Sequence, residues 1–345
     1  MADGILIIGG YGAVGTVIAS QLARQYGEQV IIAGRNATRA ATLASELQVR
    51  WRVVDVANPL DYEAVFEGVS YVVMCLDVPN MEFVRQSFER GIHYVDISAE
   101  YPILSAIANL DQIAQQHRAT AVLSVGLVPG LSNLLARHSL HYVNPIQRFD
   151  TAILAGLGEK HGVAGSSWIL DHMSDSGDMN RFDFREPYGR KTVHRFAFSD
   201  QYTLPETLPI AEAATWLGFD TFMMTQLITL ARLPILRWLF RQNAVKQLLL
   251  STTQRMQFGT DEFVLTTRAQ GNTKSYQAWL RGKRETLATG IVTAEVIRRL
   301  LTERFPAGVY HIEQIFEFED FLPVLEQHGM TFSSTASRQP LYVIG

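Results

Sequence analysis

The chain has 345 residues, long enough for two domains that each bury a core. With 47% hydrophobic and 19% charged residues and a formal charge of −4, it has the composition of a globular protein. That balance excludes a general electrostatic pull toward nucleic acid, and a single cysteine, Cys75, excludes an intramolecular disulfide.

The opening segment, MADGILIIGG, lacks the basic region and long apolar stretch of a signal peptide, so a cytoplasmic location is expected. Over the first 126 residues, ILIIGG, QVIIAGR, VRWRVVDV, YVVMCLD, HYVDIS and TAVLSVG read as six strands. Helical patterns separate them: AVGTVIASQLARQY, TRAATLASEL, PLDYEAVFEG, MEFVRQSFERG and PILSAIANLDQIAQQH. Such alternation predicts an α/β fold with a doubly wound parallel Rossmann sheet, whose ligand binds at the carboxyl ends of the strands. Cys75, inside YVVMCLD, reads as a buried strand residue rather than a nucleophile.

After Val128-Pro129-Gly130 the rhythm changes. SNLLARHSLHYV is a helix leading out of the first domain, and RFDTAILAGL and KTVHRFAFSD are strand-like pieces around a helical SSWILDHMSD. EFVLTTRAQG and SYQAWLRGK alternate as antiparallel strands, and ETLATGIVTAEVIRRLLTERF is a helix with Arg298, Arg299 and Arg304 near its end, where the helix dipole favours cations. The expected organisation is a nucleotide-binding domain over 1–130, completed by C-terminal helices from about 285–345. Residues 131–284 are expected to form an α+β substrate and dimerisation domain with a mostly antiparallel sheet. The run from Phe219 to Phe240 has the length of a bilayer span, but Asp220, Arg232, Pro234 and Arg237 interrupt it. It reads either as a packed or dimer-forming helix pair or as an apolar wall, with membrane contact the less favoured use. His138-x-x-His141 lacks further ligands at a matching spacing, and no metal site is expected.

The glycines after the first strand carry the chemistry. Gly10, Gly12 and Gly15 form G-x-G-x-x-G, opening a helix in a βαβ unit, the context that gives this pattern meaning. Gly10 permits the turn, Gly12 the approach of a pyrophosphate, and Gly15 close helix–strand packing. Tyr11, Ala13 and Val14 complete the loop. Gly9, Gly12 and Gly15 also fit the short-chain dehydrogenase pattern, but no tyrosine has the required lysine four residues on. Tyr188-Gly-Arg-Lys191 is one residue short. The second strand ends in Arg35 and Asn36, with Arg39 a turn later, where an NAD site usually has a carboxylate. Two arginines there favour NADP(H), through its 2′-phosphate, over NAD(H). Asp55 and Val56, ending the third strand, fall at the adenine edge, although Asp55 equally suits a helix cap. Leu76 falls at the end of the fourth strand.

Together with GGYGAVG, three further stretches resemble the saccharopine dehydrogenase (saccharopine reductase) family: GIHYVDISAEY (91–101), SVGLVPGLSNLLA (124–136) and AGVYHIEQIFEFEDFLPVLEQHGM (307–330). The resemblance implies an NADP(H)-linked oxidoreductase whose better-known members reduce an imine formed between an amine and an aldehyde or keto acid. It places Asp96–Tyr101, and the Val128–Leu131 stretch with Pro129 and Gly130, beside the nicotinamide. Asp96, Ser98, Glu100 and Tyr101 are then the candidates for handling the proton, while Ser98 and Glu100 also suit capping of the helix that Pro102 opens. The expected activity is hydride transfer between nicotinamide and an imine, keto or enoyl small molecule, by a homodimer. A non-catalytic NADP(H)-sensing protein and a membrane-associated reductase of an apolar substrate are the alternatives. A carboxylate-rich substrate would call on Arg181, Arg185, Arg190, Arg195 or Arg268.

Overall fold

A computed structural model describes residues 3–57, 62–159, 178–221 and 258–337. The chain divides into two compact units, Met1–Leu134 with Thr286–Val324, and Leu135–Glu285 with Leu325–Gly345.

In the first unit, β1 (Gly4–Ile8) leads through the glycine turn into α1 (Ala13–Tyr26), then β2 (Val30–Gly34), α2 (Ala37–Leu47) and β3 (Arg50–Val53). The second half runs α3 (Tyr62–Phe66), β4 (Val69–Met74), α4 (Glu82–Glu89), β5 (His93–Asp96), α5 (Tyr101–Ala108), α6 (Asp111–Gln116) and β6 (Thr120–Leu123). β1, β2 and β6 are buried at every position, because helices cover both faces of a parallel sheet and leave no solvent face to alternate toward. Leu6, Ile8, Val72, Met74, Phe83, Phe88, Tyr94 and Leu123 belong to one core cluster.

α7 (Ser132–Ser139) spans the division between the units. In the second unit follow β7 (Ile146–Leu157), β8 (Met179–Asp183), β9 (Arg190–Arg195), α8 (Asp200–Thr207), β10 (Ile210–Phe219), β11 (Phe258–Gln270) and β12 (Ser275–Lys283). α9 (Glu285–Thr302) begins at the return to the first unit, which then receives β13 (Gly308–His311) and α10 (Ile312–Ile315). α11 (Leu322–Gln327) and β14 (Thr331–Ser337) end the described chain.

The first sheet has the order β13-β6-β5-β4-β1-β2-β3, with every pair parallel. It is the doubly wound Rossmann arrangement, extended by one strand, and its topological switch point lies where β1 pairs with both β2 and β4. The second sheet, β14-β12-β11-β7-β10-β9-β8, is antiparallel except where β10 runs parallel to β7.

Three features differ from the sequence reading. The segment returning to the first unit supplies a strand, β13, as well as helices. β14 pairs with β12 in the second sheet, so the end of 285–345 does not complete the nucleotide domain. Cys75 falls one residue beyond β4 and is half-buried. Burial of its thiol, with nearby Asp96, raises its pKa and keeps it a thiol. The helix read at SSWILDHMSD and most of the Phe219–Phe240 run lie outside the described residues. Phe219 itself ends β10. No helix among the described residues is long and apolar enough to cross a membrane.

Candidate nucleotide-binding site

The glycine loop is built by clashes that only glycine avoids. A Cβ on Gly15 would lie 2.3 Å from the Gly9 carbonyl oxygen, and one on Gly10 2.8 Å from that of Ile7. Gly9 has φ +75°, in the region that favours glycine. Both glycine registers in the sequence are therefore required by one turn, Gly9 for its backbone and Gly15 for its packing. Gly12 is different: a Cβ there would meet only Gly9 O, at 3.1 Å. Gly12 borders open space at the N-terminus of α1, where unpaired backbone N–H groups and the helix dipole favour an anion. Ala13 is exposed, Val14 half-buried and Gly15 buried in the first helical turn.

At the end of β2 the Tyr11 side chain crosses from the glycine loop. Its hydroxyl accepts from the Asn36 backbone N–H at 2.9 Å, and its ring carries the Arg39 guanidinium 4.7 Å from its centre. Arg39 also donates to the Tyr11 carbonyl at 3.1 Å. Asn36 caps α2, its side chain accepting from Arg39 N at 3.0 Å. Arg35, Asn36 and Arg39 are exposed. Asp55 Oδ1 accepts from Ala57 N at 3.0 Å in a local turn, next to buried Val56. Leu76 is 41% exposed although apolar, and lies against Gly9.

The fifth strand ends in a closed polar knot. Tyr94 donates its hydroxyl to Asp96 Oδ2 at 2.8 Å, and Ser98 N donates to Asp96 Oδ1 at 2.7 Å. Asp96 and Tyr94 have no exposed surface. Burial raises the Asp96 carboxyl to about 7, against the lowering effect of those two hydrogen bonds. Ser98 Oγ donates to Asp77 Oδ1 at 2.7 Å and accepts from Glu100 N at 3.1 Å, so Ser98 supports the start of α5. Glu100 takes the N-cap position of α5, but its side chain makes no capping bond. Glu100 and Tyr101 are half-buried. In the loop after β6, Gly130 N donates to Asn133 Oδ1 at 3.1 Å, and Pro129 and Gly130 are buried.

Most of these residues lie at or just after the carboxyl ends of strands in one parallel sheet, the edge where a doubly wound sheet takes its ligand. Sequence reasoning missed Tyr94 and Asp77, and also Ser124, whose hydroxyl meets His311 Nδ1 at 2.8 Å across β6 and β13. The Tyr94–Asp96 pair is two apart on a strand and had a readable signal. Ser124–His311 depends on a strand contributed by the far end of the chain.

The family model described as the saccharopine dehydrogenase NADP binding domain matches residues 5–122. That stretch, β1 to β6, is similar to an NADP-binding domain of this kind. That match to an NADP-binding domain supports an NADP-dependent oxidoreductase. The chain is also similar to the apo, histidine-tagged saccharopine dehydrogenase (L-Glu forming) of Saccharomyces cerevisiae, at 15% identity and a TM-score of 0.69, over 97% of this chain and 100% of that one. That likeness is one of fold. A probable dehydrogenase from Thermotoga maritima is more distant, at 10% identity and a TM-score of 0.47, over 92% of this chain and 91% of that one. No curated protein sequence matches significantly.

The arginines considered for a carboxylate-rich substrate form no common fork. Arg185 lies 3.6 Å over the Trp279 ring, Arg195 donates to Gln201 at 3.0 Å, and Arg268 sits 3.7 Å over Phe182 and 3.7 Å from Asp150. Arg181 and Arg190 are exposed on the β8–β9 hairpin. His138 Nε2 meets the Tyr276 hydroxyl at 2.8 Å, within an aromatic group that includes Tyr142.

Proposed function

We propose that the chain is an NADPH-preferring reductase of a small imine, keto or enoyl compound, acting in the cytoplasm as a homodimer. The open cradle at Gly12, beside a β2 end that carries Arg35 and Arg39 and no carboxylate, is the observation that carries the cofactor preference. Gly10, Gly12 and the first turn of α1, with Ala13, Val14 and Gly15, hold the pyrophosphate. Arg35, Asn36 and Arg39 meet the 2′-phosphate, and Asp55 and Val56 border the adenine. Leu76, Pro129 and Gly130 line the nicotinamide end.

The cofactor supplies the hydride. The protein's tasks are to fix the acceptor carbon against the nicotinamide and to handle one proton. Asp96 acts as a positioning residue, because it is enclosed and its two oxygens hold Ser98 N and the Tyr94 hydroxyl. Ser98, hydrogen-bonded to Asp77 and to Glu100 N, positions the start of α5, and Glu100 and Tyr101 meet the substrate. The test is binding of NADPH and NADH by the purified chain, followed by NADPH oxidation against a panel of imines, keto acids and enoyl compounds. Tighter NADPH binding with turnover on one class is expected. Binding without turnover on any class would return the reading to a cofactor sensor.

A further inference from the structure

Four residues at the end of β2 form one interlocked unit. A Cβ at Gly34 would lie 2.5 Å from the Tyr11 hydroxyl oxygen and 2.6 Å from ring carbons, so Gly34 is the floor on which that ring rests. The hydroxyl accepts from Asn36 N, and an oxygen that accepts there keeps its own hydrogen to donate outward. The ring also carries Arg39, whose Nη2 is tied to the Tyr11 carbonyl. The other guanidinium N–H groups of Arg39 make no hydrogen bond among the described residues. Arg35 makes no comparable contact.

From this geometry we infer that Tyr11 is the specificity-positioning residue for the 2′-phosphate, holding Arg39 as the cation that reads it while the phenol hydroxyl adds a donor. The inference rests on the NADPH preference proposed above. An exposed arginine loses rotamer freedom when it binds an anion, and a guanidinium already stacked and anchored has lost part of it beforehand. A lone charge such as Arg35 attracts the phosphate without fixing its geometry.

The experiment measures dissociation constants of NADPH and NADH for the full chain and for Tyr11→Ala, Tyr11→Phe, Arg39→Ala, Arg35→Ala and the Tyr11→Ala/Arg39→Ala pair. Tyr11→Ala is expected to weaken NADPH about five- to tenfold, as a cation–π contact at a partly exposed site implies. NADH affinity, which reports an intact fold, should change less than about twofold on the same scale. Tyr11→Phe keeps the stack and should lie between Tyr11→Ala and the parent. The double variant should lose less than the sum of its parts, and Arg35→Ala less than Arg39→Ala. Equal loss of NADPH and NADH in Tyr11→Ala, or additive single effects, would overturn the role of Tyr11 alone. A parent chain that binds NADPH and NADH equally would overturn the cofactor reading and this inference together.

Discussion

Tyr94 hydrogen-bonds Asp96 at 2.8 Å, and neither side chain has any exposed surface. The pair encloses the carboxylate at the end of β5, and this has consequences that solution measurements can read.

The first concerns pH. Burial raises the Asp96 carboxyl from its ordinary 3.8 to about 7 in the folded chain. Between those values the folded state holds a proton that the unfolded state has released, so this group's contribution to stability falls as pH rises through that window and levels off above it. Each pH unit inside the window costs up to about 1.4 kcal/mol. Asp96→Asn carries no such proton. Urea unfolding from pH 4.5 to 8 should therefore show the variant gaining on the parent as pH rises. A difference independent of pH would rule out the raised carboxyl.

Removing the donor should sharpen that effect. Tyr94→Phe deletes the hydroxyl but keeps the ring, which packs edge-on to Phe88. The ionised Asp96 then loses one of its two hydrogen bonds. Stability at pH 8 should fall by about 1–3 kcal/mol, and less at pH 5, where the carboxyl is protonated. Chemical denaturation at the two pH values checks it.

At the glycine loop, Gly15→Ala would place a Cβ 2.3 Å from the Gly9 carbonyl oxygen. The helix must move off the strand, costing about 1–3 kcal/mol by overpacking, and NADPH affinity should drop with it. Gly12→Ala meets one atom at 3.1 Å and should leave the apo melting temperature nearly unchanged while still blocking the nucleotide. Thermal shift with and without NADPH separates the two effects. Equal melting temperatures for the two apo variants would contradict these different roles.

The charge at the end of β2 gives a fourth expectation. Arg35→Glu sets a carboxylate beside the proposed 2′-phosphate position and should weaken NADPH about tenfold or more, about 1.4 kcal/mol. NADH, which lacks that phosphate, should be affected far less. Titration of both cofactors into the variant decides it, and equal losses would move the phosphate elsewhere.

A fifth concerns Gly130, whose φ of +134° lies where a side chain is strained. Gly130→Ala should cost about 1–3 kcal/mol and loosen the loop after β6. A melting temperature equal to that of the parent would show that this backbone conformation is not retained.

Much of the first unit was legible in the chain itself. ILIIGGYGAVG names a strand, a turn and a helix start because each depends on neighbours within a few residues, and the six apolar runs up to residue 126 are the six strands β1 to β6. The positions of Arg35, Asp55, Leu76 and Asp96 followed, since a parallel sheet sets every strand's carboxyl end along one edge. The glycine registers looked like alternatives in the sequence, and the turn uses the glycines of both.

The sequence by itself determined the local conformations, the parallel sheet and the edge at which a ligand belongs, all of which follow from short-range periodicity and turn chemistry. Only the tertiary structure decided that Asp96 is enclosed, that Tyr11 rests on Gly34 and carries Arg39, and that β13 and β14 go to different sheets. Burial and partner choice depend on which distant segments pack together. The 23 positions separating Tyr11 from Gly34, or the 187 separating Ser124 from His311, carry no periodic signal of that meeting.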